Sequence, residues 1–202
     1  MRSTLLLILG TVLAAFAEPT IYRVIPGDKH TEVTFTSDAP METVVGQTRT
    51  VTGYVELDPS RPGAGARGEI HVDLASLDTG LKLRNRHMRE NHLETDKYPE
   101  AVFTLTSLRV DELRPGVRTP ATVRGEFSLH GVKRGIEPEV HLTLDNTEDE
   151  PTLHIEADFT VLLEDYEIDC PQFLLLKLSR EQLVHVDIVA RGGLASSALT
   201  TP

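Results

Sequence analysis

Between Leu74 and Phe103 the chain packs basic residues, histidines and carboxylates around few apolar ones, and the candidates for polar chemistry begin there. Asp78-Thr79-Gly80 is the triplet of aspartic proteases, in which two carboxylates share a proton and activate water. Those enzymes need two apolar residues before the Asp and a small one after the Gly. Here Ser76-Leu77 precede, Leu81 follows, and the chain holds no second copy. The triplet therefore reads as a turn at a strand end, with Asp78 capping the helix that follows. His87 and His92, with His71 as a third, invite a metal reading. On an α-helix, however, five-residue spacing turns two imidazoles about 140° apart, poorer for one ion than an i, i+4 pair, and no metal site is expected. Arg84, Arg86, His87 and Arg89 form a cluster suited to an anionic head group, because the planar guanidinium matches phosphate and carboxylate. The competing reading is a solvated helix face neutralised by Glu90, Glu94 and Asp96. Cys170, the one cysteine, sits beside Glu167, Asp169 and Pro171, the opposite of the electropositive setting that a nucleophilic thiol requires. It reads as a half-buried small hydrophobe, and no catalytic residue is assigned.

The elements that must position this segment are strands. Apolar residues alternate in Val33/Phe35, Val51/Val55/Leu57 and Ile70/Val72/Leu74. They alternate again in Val123/Phe127/Leu129, Val140/Leu142/Leu144, Leu153/Ile155/Ala157/Phe159/Val161 and Val184/Val186/Ile188/Ala190. That period of two puts one face inward and one outward. Pro26-Gly27-Asp28, Asp58-Pro59-Ser60 with the glycine-rich 61–68 stretch, Arg114-Pro115-Gly116 and His130-Gly131 supply the reversals. Short alternating strands joined by tight turns imply antiparallel pairing. A single helix is expected, from Leu81 to Leu93, with Leu81, Arg84/Asn85, Met88 and His92 on one face. About eight strands must pack as a sandwich or close into a barrel, and periodicity does not choose between them.

The ends read differently. Arg2, the apolar Leu5–Ala15 and the small-x-small Ala15-Phe16-Ala17 compose a secretory signal peptide over residues 1–17. Its apolar run of about ten residues is too short to span a bilayer, so stable membrane insertion is not expected. Cleavage near Ala17 leaves residues 18–191 as one domain and 192–202 as a low-complexity tail. Without Arg2 that mature part carries 19 basic against 31 acidic residues, a net charge of −12. This balance disfavours nucleic acid, opposes attachment to an anionic membrane surface and favours a freely soluble periplasmic or secreted protein.

Several stretches together resemble the YceI-like family of polyisoprenoid-binding, lipocalin-like barrels. They are Asp28-x-His30-Thr31-x-Val33-x-Phe35, Ser76-Leu77-Asp78-Thr79-Gly80, Arg84-Asn85-x-His87-Met88-Arg89, Lys97-Tyr98-Pro99-Glu100-Ala101-Val102-Phe103 and Val123 to Val132. The resemblance covers roughly residues 21–191. It departs at Asn85, where family members usually carry Asp, and at Glu94-Thr95, where they carry an aromatic or apolar pair. What it implies is an all-β, single antiparallel barrel of about eight strands with one inserted short helix, and an isoprenoid-type or quinone-like lipid inside. It also implies no cofactor beyond that lipid, and pairing of subunits as a homodimer.

Parity and resemblance together nominate a ligand-binding set of Phe35, Leu74, Phe103 or Val102, Phe127 and Phe159 on the wall. Leu81 and Met88 would act as a lid, with Arg84 and His87 beside it. The expected function is an exported lipid-binding protein (carrier, store or stress-related), not an enzyme. The rival readings are an enzyme using Arg84 and His87 on a small anionic or lipidic substrate, and an interaction module whose core is filled.

Overall fold

Alternation becomes architecture when the two outermost strands of a sheet meet, and here they do. The computed structural model describes residues 19–38, 42–146, 150–170, 172–173, 176–177 and 179–193. Eight antiparallel strands form a closed ring: β1 (Thr20–Val24), β4 (Val51–Leu57), β5 (Arg67–Asp73), β6 (Glu100–Arg109), β7 (Thr119–Leu129), β9 (Glu139–Asn146), β10 (Pro151–Leu162) and β13 (Glu181–Gly192). β1 pairs on one side with β4 and on the other with the end of β13, from Val24↔Ala190 to Tyr22↔Gly192. Closure removes the open edges that a sheet of this size would otherwise expose.

Two of the ring strands are longer than one neighbour can cover. The first half of β13 pairs with β2 (Glu32–Asp38), from Asp187↔Glu32 to Leu183↔Thr36, and β2 pairs onward with β3 (Thr43–Thr48). At the switch from β2 to β1, the buried Thr31 hydroxyl accepts the Val189 N–H at 3.2 Å. Likewise β7 pairs with β9 through residues 119–122 and with β8 (Val132–Ile136) through residues 125–129. The β7–β8 hairpin turns on His130 and Gly131, both at positive φ, the geometry that matches strand twist in two-residue loops. The β2–β3 and β8 arms thus extend the wall at one end of the barrel. Two further short strands, β11 (Gln172–Phe173) and β12 (Leu176–Lys177), pair with each other.

The inward set follows the alternation. Leu153, Ile155 and Ala157 lie opposite Leu144, Leu142 and Val140 on one side and Ala190, Ile188 and Val186 on the other. Phe103 lies across from Ile70 and Phe127, which settles Phe103 over Val102 as the inward residue. One buried cluster centres on Tyr22, Val51, Leu57, Leu144, Leu153 and Ile188. A second joins Leu74, Leu77, Phe127, Leu129, Leu163, Tyr166 and Ile168, and Val72, Phe103 and Val184 touch both.

The helix departs from expectation. The α-helix α1 spans only Lys82–His87, and Met88–His92 continue as a wider π-helical turn closed by Leu93 N–H to Met88 C=O at 2.8 Å. Asp78 is not its cap, since the N-cap residue is Leu81 and no side chain caps it. Asp78 instead exchanges two backbone hydrogen bonds with Gln47 of β3, at 2.9 and 3.0 Å. That bridge ties the approach to α1 onto the extended wall. At the C-terminal side β13 runs through Gly192, so the tail begins beyond it; the residues read as signal peptide and the rest of the tail lie outside those described. No helix among the described residues is long and apolar enough to cross a membrane.

Candidate functional site

The two clusters do not fill the barrel. Between them lies a cavity of about 800 Å³, walled by apolar side chains from the ring strands and closed over by α1 and the π-turn. A filled core is therefore excluded. Apolar voids of this size fall within the range of small-molecule sites.

All nine residues nominated from the sequence lie on this wall: Phe35, Leu74, Leu81, Arg84, His87, Met88, Phe103, Phe127 and Phe159. Phe127 makes edge-on contacts with Phe159 and Tyr166, with centroids 5.4 and 5.6 Å apart, in the favoured aromatic arrangement. Two glycines set how closely Phe35 and Phe103 lie against the wall. A Cβ on Gly46 would fall 2.2 Å from the Phe35 ring, and one on Gly125 would fall 2.2 Å from that of Phe103. Each ring therefore lies flat over a glycine, which trims the chamber without blocking it.

The mouth can be located by exposure. Among the described wall residues only Glu42, Leu81, Lys82 and Leu83 are exposed, and all four sit at the α1 end. Arg84 anchors this rim. Its Nη1 donates to Glu42 Oε1 at 2.7 Å, its Nε to Thr79 Oγ1 at 3.0 Å and its Nη2 to the Thr79 carbonyl at 2.9 Å. Beneath it the buried Asn85 accepts from the Thr79 N–H and hydroxyl, at 2.9 and 2.6 Å, and donates to Asp78 Oδ1 at 2.7 Å. The Asn85 amide and then the Gly80 N–H hold the Asp78 carboxyl below its ordinary value. Asn85 thus acts through its amide: the donor that faces Asp78 is what a carboxylate at this position would lack.

His87 and His92 both reach the cavity, contrary to the angular argument for an α-helix. The π-turn adds a residue per turn and so brings the i+5 position round towards the same side. Burial pushes the His92 imidazole below the usual histidine range; a hydrogen bond with the Asp169 backbone opposes this and the nearby His87 adds to it. The His92 Nδ1 is buried and has no hydrogen-bond partner among the described residues. His71, by contrast, lies on the outer face between Glu69 and Glu100, at 2.7 and 2.9 Å. No group of three or more His, Cys, Asp or Glu among the described residues is arranged to hold a metal ion.

His130 ties the β7–β8 turn to Tyr166, Glu94 and Tyr98. Its Nδ1–H donates to the Tyr166 carbonyl at 3.1 Å, its Nε2 lies 3.0 Å from Glu94 Oε2, and its ring meets Tyr98 edge-on. Sequence reasoning passed over Glu42, Lys82 and Leu83, and it weighed Thr79 and His92 only as a turn residue and a metal ligand, not as part of the ligand-binding set. Glu42 meets Arg84 across 42 residues of chain, which no local pattern reports, and the π-turn that brings His87 and His92 to one cavity leaves no mark in the apolar spacing.

A closed eight-stranded antiparallel barrel, chambered and opening beside a short helix, is the lipocalin-like class of β-barrel. The chain belongs to the YceI-like family, whose domain model matches residues 22–190. It is 28% identical over 121 residues to Protein YceI of Shigella flexneri, an alignment that takes in 57% of this chain and 59% of that protein. The chain thus matches about three-fifths of the length of that relative. Among solved structures, a polyisoprenoid binding domain from Saccharophagus degradans implicated in plant cell wall breakdown superposes with a TM-score of 0.69 at 17% identity, covering 85% of this chain and 98% of that one. BcnA of Burkholderia cenocepacia gives 0.63 at 17% identity, covering 79% of this chain and 96% of its own. At these identities the likeness establishes the fold.

Proposed function

We propose that this protein is an exported container for an isoprenoid-type lipid, which it carries or stores without transforming it. The observation that carries the reading is the apolar cavity itself, closed by the barrel and reached past Leu81 and Leu83. Membership of the YceI-like family supports it, as does the structural likeness to a polyisoprenoid binding domain. Burial of about 300 Å² of apolar surface contributes several kcal/mol with no polar contact, at roughly 25 cal/mol per Å². At about 30 Å³ for each methylene-sized group, the cavity takes a tail of roughly 25 carbons, or about five isoprene units.

His92 sharpens the choice of head group. Burial disfavours its charge, and its buried Nδ1 has no hydrogen-bond partner among the described residues, so a neutral polar group is the fitting complement. His92 suits a hydroxyl, as in a prenol or a quinol, better than a phosphate. Arg84, already committed to Glu42 and Thr79, serves to hold the rim in place. The signal-like first seventeen residues support export.

Native mass spectrometry of protein purified without detergent, followed by organic extraction, tests the reading. A bound apolar species, or uptake of an added polyprenol of about five units, is the expected result. A protein that emerges empty and takes up neither a polyprenol nor an apolar fluorescent probe would refute it.

A further inference from the structure

The mouth carries a feature at odds with the rest of the surface. Over the whole chain acidic residues exceed basic ones by eleven, yet the segment 81–93 holds Lys82, Arg84, Arg86 and Arg89 against the single carboxylate of Glu90. Arg84 is spent on Glu42, and Arg89 donates to the Ala75 carbonyl. Lys82 and Arg86 are exposed and make no ion pair among the described residues. Between and beside these cations stand Leu81 and Leu83, 55% and 49% exposed, which are also the outermost apolar residues of the cavity wall.

We infer that α1 and its flanks are a docking tip for an anionic lipid bilayer, through which the lipid of the proposed function enters and leaves. The inference rests on that reading for its purpose and on the mouth for its geometry. A long isoprenoid chain cannot wait in water, so the opening must meet the phase that holds it. Leu81 and Leu83 continue the apolar wall outward and reach the acyl boundary first. Lys82 and Arg86 then lie at the level of the head groups, where basic residues are drawn to anionic lipid. The remaining acidic surface is repelled by the same membrane. Attraction at one tip and repulsion elsewhere orient the barrel mouth-down and keep its hold weak and reversible. The overall negative charge, which argues against membrane attachment when taken as a sum, becomes part of the steering.

The test is co-sedimentation of the protein with vesicles of phosphatidylcholine alone or with about 30% phosphatidylglycerol, whose negative surface potential draws basic residues. Binding is expected to the anionic vesicles only, to fall with added salt, and to drop about tenfold or more in Lys82→Glu/Arg86→Glu. Leu83→Ser is expected to weaken binding at every salt concentration. Circular dichroism melts establish that each variant is folded. Equal sedimentation with both vesicle types, or charge-reversed protein that binds as the parent does, overturns the proposal. Vesicle binding is read without any ligand in the cavity, and uptake is read separately. A barrel that docks yet takes up neither a polyprenol nor an apolar probe supports the tip while refuting the lipid-container reading, and a barrel that loads yet ignores vesicles does the reverse.

Discussion

Two glycines on the cavity wall allow a sharp comparison. In Gly125→Ala the new methyl would lie 2.2 and 2.3 Å from Phe103 Cζ and Cε2, and 2.6 Å from the backbone oxygen of Thr104. In Gly46→Ala the offending atoms, at 2.2, 2.5 and 3.0 Å, all belong to the Phe35 ring. Carbon contacts settle near 3.5–4.0 Å, so either ring must retreat by about 1.5 Å. Both have an open chamber to retreat into. The Thr104 oxygen has none, because it belongs to β6, which is held between β5 and β7. Overpacking that the structure cannot relieve costs about 1–3 kcal/mol, and Gly125→Ala belongs at the upper end. Gly46→Ala is relieved by ring rotation and should cost less than about 1 kcal/mol, with the lower entropy of the unfolded alanine chain offsetting part of it. Thermal melts should then show Gly125→Ala about 5–10 °C below the parent and Gly46→Ala within a few degrees of it. Both variants push a ring inward, so both should take up an apolar fluorescent probe less well. Equal stability losses in the two would refute the argument that an immovable backbone oxygen, and not ring crowding, sets the cost.

Phe127→Ala removes the edge contacts to Phe159 and Tyr166 and should cost about 3 kcal/mol in denaturant melts while enlarging the cavity enough to admit a bulkier probe. Asn85→Asp keeps both bonds from Thr79 but sets a second carboxylate against Asp78, so one of the pair must hold a proton. The variant should melt below the parent at pH 7, and the gap should narrow as the pH approaches about 4, where carboxylates take up protons. Burial pulls the His71 imidazole down, yet hydrogen bonds to Glu100 and Glu69 more than compensate and leave it above the ordinary histidine value of 6.5. Its contribution to stability is thus complete below 6.5 and lost as the pH rises through the folded value, so a His71→Gln variant should lose its deficit over that rise. A carbon-13 or proton titration of the His71 ring that finds a midpoint below 6.5 would overturn this sign.

Period-two alternation made the strands legible. Leu153 to Val161 and Val184 to Ala190 each show one face clearly, and the two faces lie opposite one another, from Leu153↔Ala190 to Phe159↔Val184. Alternation says nothing of closure, because the pairing of Tyr22 with Gly192 joins the two ends of the domain and has no local sign. The cavity was equally hidden: an inward Phe reads the same whether it meets another side chain or empty space. Within the site, wall residues on strands were accessible to parity, whereas the rim was not. Glu42 reaches Arg84 where the Gln47–Asp78 bridge ties their segments together, and His87 shares the cavity with His92 where the helix widens after it. Where hydrogen bonds link distant segments, apolar spacing carries no information about them.

The sharing of β13 between two partners also has a temporal consequence. Both β1 and β2, near the start of the domain, wait for a strand that is made last, and Tyr22 and Gly192 lie 170 positions apart. Contacts so remote in sequence form slowly, because the intervening chain must be ordered before they reward it. Until β13 is in place, β1 and β10 each present an unpaired edge and the chamber has no wall between them. A growing or truncated chain that ends before Glu181 is therefore an open sheet, sticky at both margins and unable to enclose anything. β13 acts as a latch: it converts an open sheet into an enclosed chamber, so the cavity exists only once this strand is paired.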